Sequence, residues 1–153
     1  LRDAIQPIIA DFDYLLIDCP PSLNILVINA LAAAGELIIP IQAEYYALEG
    51  ISQLLGAIRL VRERLNPALS VVGILITMCD YRTNLANRVM EEVRRYFTDR
   101  VYRTVIPRNV RLGEAPSFGK PINYYDRNSA GAIAYHQLAR EIITEERGET
   151  HEK

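Results

Sequence analysis

Lysine, cysteine and tryptophan are scarce or absent in this chain. Its 153 residues include two lysines, two cysteines and no tryptophan. Two cysteines are too few for a disulfide framework. Neither Cys19 nor Cys79 stands in a C-x-x-C pair or beside a histidine, which favours buried free thiols over a metal or redox site. No apolar run reaches the roughly 18 residues of a membrane helix, and the first residues lack the form of a signal peptide, so we expect a soluble, cytoplasmic protein.

The two lysines stand outside any glycine-rich phosphate loop. They are Lys120 and Lys153, and no G-x-x-x-x-G-K-[ST] pattern occurs among the 153 residues. In such a loop, backbone amides and the lysine hold the β- and γ-phosphates of a nucleotide. A phosphate loop of this type is therefore excluded from this segment.

Apolar runs alternate with amphipathic helical patterns, which is typical of a mostly parallel α/β sheet with helices on both faces. The length and the 50% hydrophobic content suffice for one domain with a sizeable core. We predict a single domain over residues 1–145 and a polar tail over residues 146–153. The predicted strands are 14–18, 36–40, 71–78, 101–106 and a short edge strand at 121–124. The predicted helices are 1–10, 23–34 capped by Ser22, 48–65, 85–96 started by Thr83 or Asn84, 110–115, and a last helix from Ser129 to about Glu145.

The stretch Tyr14-Leu15-Leu16-Ile17-Asp18 is a run of four bulky residues that ends in a carboxylate. A run without alternation predicts a strand buried on both faces, and the following prolines end it because they donate no ladder hydrogen bond. Asp18 then stands at the carboxyl end of a strand, where open α/β sheets bind their ligands. A carboxylate beside a phosphate site suits Mg²⁺, which prefers oxygen ligands and keeps bound waters. An Asp that caps the next helix is the alternative.

Four motifs follow one another in an order that is characteristic of one family. They are DCPPSL (18–23), PIQAEYYALEG (40–50), TMCDYRTN (77–84) and IPRNVRLGEAP (106–116). With them the chain resembles the ParA family of chromosome- and plasmid-partition ATPases, most closely its chromosomal branch, Soj, from about Ile5 to Ile143. The resemblance implies the three-layer fold of P-loop NTPases without its N-terminal strands and phosphate loop. The chain looks like the last three-fifths of such a protein.

The resemblance also implies roles for polar residues near strand ends. Asp18 would be the catalytic residue that holds Mg²⁺ through water. The segment after the second strand senses the nucleotide near the dimer interface, with Gln42 and Glu44 as its candidates. Two later loops flank the adenine base, which implies nucleotide contacts for Asp80, Pro107 and Asn109. Asp80 can accept a hydrogen bond from the exocyclic amine, and Pro107 offers a flat apolar face.

Plainer interpretations remain open for these loops. Residues 40–50 are equally well an ordinary strand-to-helix connection, with Glu49 favourable at the helix N-terminus. Asn109 is at least as well suited to cap the short helix that follows it as to pair with the base.

Basic residues concentrate between Tyr81 and Arg111. This range carries a charge of +5, and the rest of the chain carries −7. Arginine forks match phosphate oxygens, so the pattern indicates sequence-independent contact with a nucleic-acid backbone. The alternative is a solvated helix face with Glu91 and Arg95 as an i,i+4 pair. The resemblance favours DNA, because the position matching Arg82 contacts DNA in this family, and Arg111 is the second candidate. The arginine strip, as we call it, consists of Arg82, Arg88, Arg94, Arg95, Arg100, Arg103, Arg108 and Arg111.

Two related families fit less well. MinD-type proteins end in a basic amphipathic membrane helix, whereas the last residues here are rich in glutamate, which anionic lipid repels. Nitrogenase-type proteins hold an iron–sulfur cluster between subunits with cysteines, and Cys19, directly after Asp18, is a poor match for that role.

The resemblance thus implies a ParA-type MgATPase. ATP binding would drive homodimerisation and binding to non-specific double-stranded DNA, and a ParB-type partner would stimulate hydrolysis. Such a protein would use ATP and Mg²⁺, make no membrane contact and associate with the nucleoid in the cytoplasm. The 153 residues alone lack the phosphate loop, so we expect them to be inactive. A non-catalytic fragment that binds DNA or a partner without ATP turnover is the alternative, and a glycine-rich lysine loop encoded upstream of Leu1 would decide between the two.

Overall fold

The computed structural model describes residues 1–44, 47–146 and 148. Most of the predicted polar tail, residues 147 and 149–153, lies outside them. The chain divides into two compact units, the first made of Leu1–Ile38 and Leu48–Val72 and the second of Ile39–Ala47 and Gly73–Lys153. The prediction of a single domain over residues 1–145 stays a prediction. The elements are α1 (Arg2–Ile5), α2 (Ile25–Ala33), β1 (Glu36–Gln42), α3 (Ala47–Arg64), β2 (Ser70–Thr77), α4 (Asn84–Phe97), α5 (Val110–Glu114), α6 (Ile122–Tyr125) and α7 (Ala130–Glu146).

In the first unit, α2 begins at an asparagine cap. The side-chain oxygen of Asn24 accepts hydrogen bonds from the amides of Leu26 at 3.0 Å and Val27 at 3.2 Å. The prediction that Ser22 caps this helix is therefore wrong. Asn24 directly precedes the first helical residue, so its oxygen reaches the free amides of the first turn, and the Ser22 hydroxyl instead accepts from the Asn24 side chain at 3.2 Å.

The segment Tyr14–Asp18, also in the first unit, is not a strand. Residues 14–20 belong to neither a helix nor a strand, and Leu16 is 89% exposed. The prediction of a strand buried on both faces is wrong here. Burial of that kind needs hydrogen-bonded neighbours and covering layers, and in the described part of the chain the only strand ladder joins β1 and β2.

Helix α3 has an apolar stripe, as expected for a predicted amphipathic helix, but Leu65, predicted to belong to it, is 49% exposed. Ile51, Ile58 and Val61 are buried at helical spacing. After α3, the buried Asn66 donates from its side-chain amide to the carbonyls of Leu31 at 2.9 Å and Ala34 at 2.7 Å. These carbonyls end α2 and have no partner within that helix, so Asn66 satisfies them and fixes the start of β1.

In the second unit, three chain segments run parallel. They are the end of β1, then β2 in the middle, and residues 101–107, which we call the third segment. The Ala43 amide donates to the Thr77 carbonyl at 3.0 Å on one side, and the amides of Tyr102 and Ile106 donate to Ile74 at 3.0 Å and Ile76 at 2.9 Å on the other. The predicted strand 101–106 is only partly right, because its contact with β2 is reduced to isolated parallel bridges, the first at Val101 and the last at Pro107.

A glutamate of α7 explains that interruption. The Glu141 carboxylate accepts hydrogen bonds from the amides of Arg103 at 2.6 Å and Thr104 at 2.9 Å, so these amides are not available to a strand ladder. Nearby, Gly73 of β2 lies against Tyr102, and a Cβ at that position would overlap the tyrosine ring. Glu141 and Gly73 thus hold the segment that leads to Pro107.

We expect the substitution Glu141→Ala to loosen this segment. It removes two charge-assisted acceptors, which should lower the free energy of unfolding by about 1–3 kcal/mol. Amide hydrogen exchange should accelerate at Arg103 and Thr104 in particular. The control is Glu145→Gln one turn later, because burial and the charge of Glu141 raise the pKa of Glu145, so neutralising it should not destabilise the protein. Unchanged exchange at residues 103 and 104 would contradict this role of Glu141.

The other helices confirm the predictions in part. Thr83 caps α4, as predicted, by accepting from the Ala86 amide at 3.3 Å. The buried face of α4 consists of Ala86, Val89 and Val93. Leu85 and Tyr96, which the apolar spacing of the sequence also places on this face, are 46% and 68% exposed. Ser129 opens α7 as predicted, with its hydroxyl accepting from the Ala132 amide at 3.2 Å.

The predicted edge strand at 121–124 is wrong, because residues 122–125 form the short helix α6. The carbonyl of Pro121 accepts from the amides of Tyr124 and Tyr125, both at 3.0 Å. A proline suits the position before a first helical turn, where no amide donor is needed, and this local preference is stronger than the β propensity of the tyrosines.

Candidate functional site

Most of the predicted site residues lie in one unit. Asp18 belongs to the first unit, and the others belong to the second, where they follow the three parallel segments at their carboxyl ends. This is the edge at which open α/β sheets bind ligands. The residues in the second unit are Gln42, Glu44, Asp80, Arg82, Pro107, Asn109 and Arg111.

Asp18 is exposed and lies in the non-regular segment before α2. Asn24 caps that helix, so the alternative role of Asp18 as its cap is wrong. Among the described residues, no group of three or more His, Cys, Asp or Glu side chains could enclose a metal ion. A single open carboxylate nevertheless fits Mg²⁺, which is commonly held by one or two carboxylates together with waters and substrate phosphates. Next to it, Cys19 is exposed, contrary to prediction, whereas Cys79 is buried as predicted.

The loop after β1 is tied to the loop after the third segment. Gln42 is exposed and its carbonyl accepts from the Glu44 amide at 2.8 Å. The Glu44 carboxylate accepts from the Arg108 guanidinium at 2.9 Å. Both side chains are about half exposed, at 55% and 53%, so this ion pair remains open to solvent and to ligands. The sequence did not indicate Arg108 as the partner of Glu44, because 64 residues separate them.

The loop after β2 begins with an unusual backbone. Met78 has a φ of 51°, in the left-handed region that a side chain with a Cβ disfavours. The next residue, Cys79, is buried against Met90, with 3.6 Å between the two sulfur atoms. Burial raises the pKa of the Cys79 thiol, so the thiol is protonated at neutral pH. The turn at Met78 and the buried Cys79 anchor the start of the loop that carries Asp80.

Asp80 and Arg82 form a bidentate ion pair within that loop. The Asp80 carboxylate accepts from Nε of Arg82 at 2.8 Å and from Nη2 at 2.7 Å, and it also accepts from the Arg82 backbone amide at 3.2 Å. The hydrogen bonds from Arg82 lower the pKa of Asp80 from 3.8 to about 2. Asp80 is therefore ionised at neutral pH, and both of its carboxylate oxygens are hydrogen-bond acceptors.

The loop after the third segment contains Pro107 and Asn109. Pro107 is partly exposed and forms a parallel bridge with Cys79. The Asn109 side-chain oxygen accepts from the Arg111 amide at 2.9 Å, so Asn109 caps α5. This confirms the capping alternative for that oxygen. The side-chain amide group of Asn109 is not used by the cap, so the cap does not exclude a contact with a base.

Arg111 is ion-paired with two carboxylates while 54% of its side chain remains exposed. Its guanidinium lies 2.9 Å from the Glu114 carboxylate and 3.5 Å from that of Asp126. The Tyr125 hydroxyl donates to Glu114 at 3.1 Å. Hydrogen bonding with Arg111 lowers the pKa of Glu114. The spacing of three residues between Arg111 and Glu114 is a signal for such a pair that could have been used.

All eight members of the arginine strip are exposed. Three of them, Arg82, Arg108 and Arg111, are paired with carboxylates in the strand-end loops. In the described part of the chain Glu91 and Arg95 form no ion pair within 4.0 Å, so the i,i+4 pair expected for a solvated helix face is absent. Each of the eight arginine side chains is therefore accessible to solvent.

Comparisons with known proteins identify relatives of the chain. A family model described as an AAA domain matches residues 1–71. The sporulation initiation inhibitor protein Soj of Bacillus subtilis is 57% identical over 142 residues, which are 93% of this chain and 56% of that protein. The chromosome partitioning protein ParA of Myxococcus xanthus is 57% identical over 94% of this chain and 50% of its own length. Over its own length, the chain belongs to the ParA and Soj family. It spans about half the length of these relatives.

Solved structures agree on the fold. A cobyrinic acid a,c-diamide synthase from Mycobacterium smegmatis, crystallised with ADP and magnesium, is 32% identical with a TM-score of 0.77 over 97% of this chain and 54% of its own. The Pyrococcus furiosus cell division ATPase MinD has a TM-score of 0.71 over 94% of this chain and 56% of its own, and at 24% identity it bears on the fold alone. The ParA-type segment is thus α/β, of the P-loop NTPase fold. No helix among its described residues is long and apolar enough to span a membrane.

Proposed function

We propose that this chain is the nucleotide-switch segment of a ParA-type partition ATPase. The observation that carries the proposal is 57% identity to Soj of Bacillus subtilis over 93% of the chain. A Treponema pallidum relative named chromosome-partitioning ATPase Soj is 56% identical over 86% of the chain. The complete protein would bind ATP, dimerise with a second copy, bind double-stranded DNA without sequence preference, and release it after hydrolysis stimulated by a ParB-type partner at the nucleoid.

The strand-end loops would recognise the nucleotide. The ionised Asp80 would accept a hydrogen bond from the exocyclic amine of adenine. Pro107, two residues before Asn109, would offer its flat face to the ring. Gln42 and Glu44 would respond to the nucleotide and the dimer partner. The Glu44–Arg108 ion pair supports a common response of two of these loops, since it joins them at 2.9 Å.

Asp18 would hold a magnesium ion through one of its waters. Bound Mg²⁺ would neutralise the negative charge on the phosphate oxygens during phosphoryl transfer. The exposed carboxylate of Asp18 supports this role, because it is accessible to a hydrated ion. Asp18 itself would orient the bound water and keep the ion in register with the phosphates.

The arginine strip would bind DNA through its phosphates. We expect Arg82→Glu or Arg111→Glu to weaken binding severalfold on unrelated duplexes and to lower the slope of log K against log salt by about 0.9 or more, one phosphate contact being lost. Arg82→Glu should still bind ATP. The measurement is fluorescence anisotropy with the complete polypeptide that the gene encodes, at about 0.1 M salt, where the Debye length is about 10 Å.

The matched control for this experiment is Arg59→Glu. Arg59 is 83% exposed and ion-paired with Glu63, but it lies on α3, outside the arginine strip. The substitution Arg59→Glu should therefore leave DNA binding nearly unchanged. Normal DNA binding by Arg82→Glu would overturn the proposed contact of the arginine strip with DNA.

The second candidate function is a segment that binds DNA or a partner without ATP turnover. The absence of a G-x-x-x-x-G-K-[ST] motif among the 153 residues favours it for the segment taken alone. A glycine-rich lysine loop in the complete gene product would favour the ATPase function instead.

A further inference from the structure

Asp80 and Arg82, which have separate proposed roles, form an ion pair in this structure. Nε and Nη2 of Arg82 donate to the Asp80 carboxylate at 2.8 and 2.7 Å, and the Arg82 backbone amide donates to it at 3.2 Å. Asp80 is the proposed acceptor for the nucleotide base, and Arg82 is the proposed donor to DNA. The pair therefore links the two proposed sites through a single carboxylate.

The loop around the pair is short and already fixed. The Thr83 hydroxyl and amide both donate to the Asp80 carbonyl, at 2.9 and 3.0 Å. The same hydroxyl accepts from the Ala86 amide and thereby caps α4. The backbone of residues 80–83 thus stays in place without the ion pair, whereas the Arg82 side chain, 88% exposed, can turn away from it.

Asp80 occupies one edge of the Arg82 guanidinium, the edge formed by Nε and Nη2. The two parallel N–H groups of that edge suit a carboxylate or a phosphate, so the Asp80 carboxylate and a DNA phosphate compete for them. The nearby Arg108 also favours the charged form of Asp80, but Arg108 is itself held by Glu44. Arg82 is thus the main partner of Asp80 and the side chain that DNA would have to detach.

We propose that Asp80 restrains Arg82 and thereby lowers the affinity of this segment for duplex DNA. The inference rests on the proposed DNA contact of Arg82. Asp80 acts here as a positioning residue, since in this role it holds the Arg82 side chain and does not itself contact DNA. Any group that donates hydrogen bonds to the Asp80 carboxylate would favour the released form of Arg82.

A double-mutant cycle tests the proposal in the complete gene product. Anisotropy of a short fluorescent duplex at about 0.1 M salt gives the dissociation constants of the wild type, Asp80→Asn, Arg82→Gln and the double variant. Asp80→Asn should bind about two- to fivefold more tightly, the range expected for release of an exposed ion pair. Arg82→Gln should bind more weakly, and Asp80→Asn should add nothing in its presence.

Two further variants exclude trivial explanations. Glu63→Gln removes one negative charge from an ion pair on α3 and should leave DNA binding unchanged, which calibrates the effect of net charge alone. Asp80→Ser should reproduce the gain of Asp80→Asn, and the Ala86 amide should keep its protection from exchange in both variants if the Thr83 cap is intact.

The possible outcomes separate this inference from the proposed function. A gain from Asp80→Asn that persists in the Arg82→Gln background overturns the inference, because the carboxylate then acts as general charge. Weaker binding by Arg82→Gln with no gain from Asp80→Asn or Asp80→Ser also overturns it, and leaves the proposed DNA contact standing. Unchanged binding by Arg82→Gln overturns both.

Discussion

We expect ATP hydrolysis in the presence of the purified 153-residue segment to be no faster than in buffer without protein. Phosphoryl transfer depends on groups that neutralise the charge of the β- and γ-phosphates, and a loop of backbone amides with a lysine supplies most of this stabilisation in P-loop NTPases. The segment has no such motif, and its lysines are at positions 120 and 153. Asp18 could contribute to magnesium binding, but one carboxylate does not hold the phosphates.

The rate of ATP hydrolysis by the segment is measured as release of labelled phosphate at saturating ATP and Mg²⁺. The positive control is the Thermus thermophilus relative named chromosome-partitioning ATPase Soj, which is 52% identical over 94% of the chain. The segment and its Asp18→Ala variant should both remain at the buffer rate. Turnover by the segment that disappears in Asp18→Ala would contradict the expectation and assign a complete catalytic centre to these 153 residues.

Local patterns of the sequence predicted the helices and the central strand well. The apolar spacing of α3 and the caps Thr83 and Ser129 depend on residues within about one turn of each other, and the structure has α3, α4 and α7 within a few residues of their predicted bounds. The strand β2 was equally clear, because its apolar run is long and has covering elements in the same chain. Predictions of this kind succeed when the deciding contacts are near in sequence.

The parts that failed depend on distant contacts. The amides of Arg103 and Thr104 are taken by Glu141, about 38 residues away, and no pattern in the third segment indicates this. Among the site residues, the positions after strand ends in the second unit were predicted, the strand-end position of Asp18 was wrong, and no ion-pair partner was predicted. The sequence contains many exposed charges, and it does not show that Arg82 pairs with Asp80 or Arg108 with Glu44. Surface ion pairs contribute little energy, so sequence specifies their partners weakly.

Apolar side chains on the surface of the first unit lead to the second large expected effect. Leu16 is 89% exposed, Ile25 68%, Leu26 67% and Phe12 61%. The Tyr14–Asp18 run has the composition of a buried strand but has no place in the ladder of the described sheet. Such a segment invites pairing with another chain through its backbone and its apolar side chains. We therefore expect the isolated 153-residue segment to self-associate or to aggregate.

Sedimentation velocity over a range of concentrations tests this expectation, with amide hydrogen exchange as a second measurement. Leu16→Glu should weaken self-association about ten- to hundredfold, since burial of a leucine side chain contributes about 1.5–3 kcal/mol. Tyr124→Ser is the matched control, because Tyr124 is 82% exposed but lies on α6 in the second unit, and its removal should change nothing. Amides of residues 15–17 should become protected only in the associated form. A monomer at every concentration, with strong protection across Leu15–Ile17, would contradict the expectation and would mean that another element of the same chain covers this segment in solution.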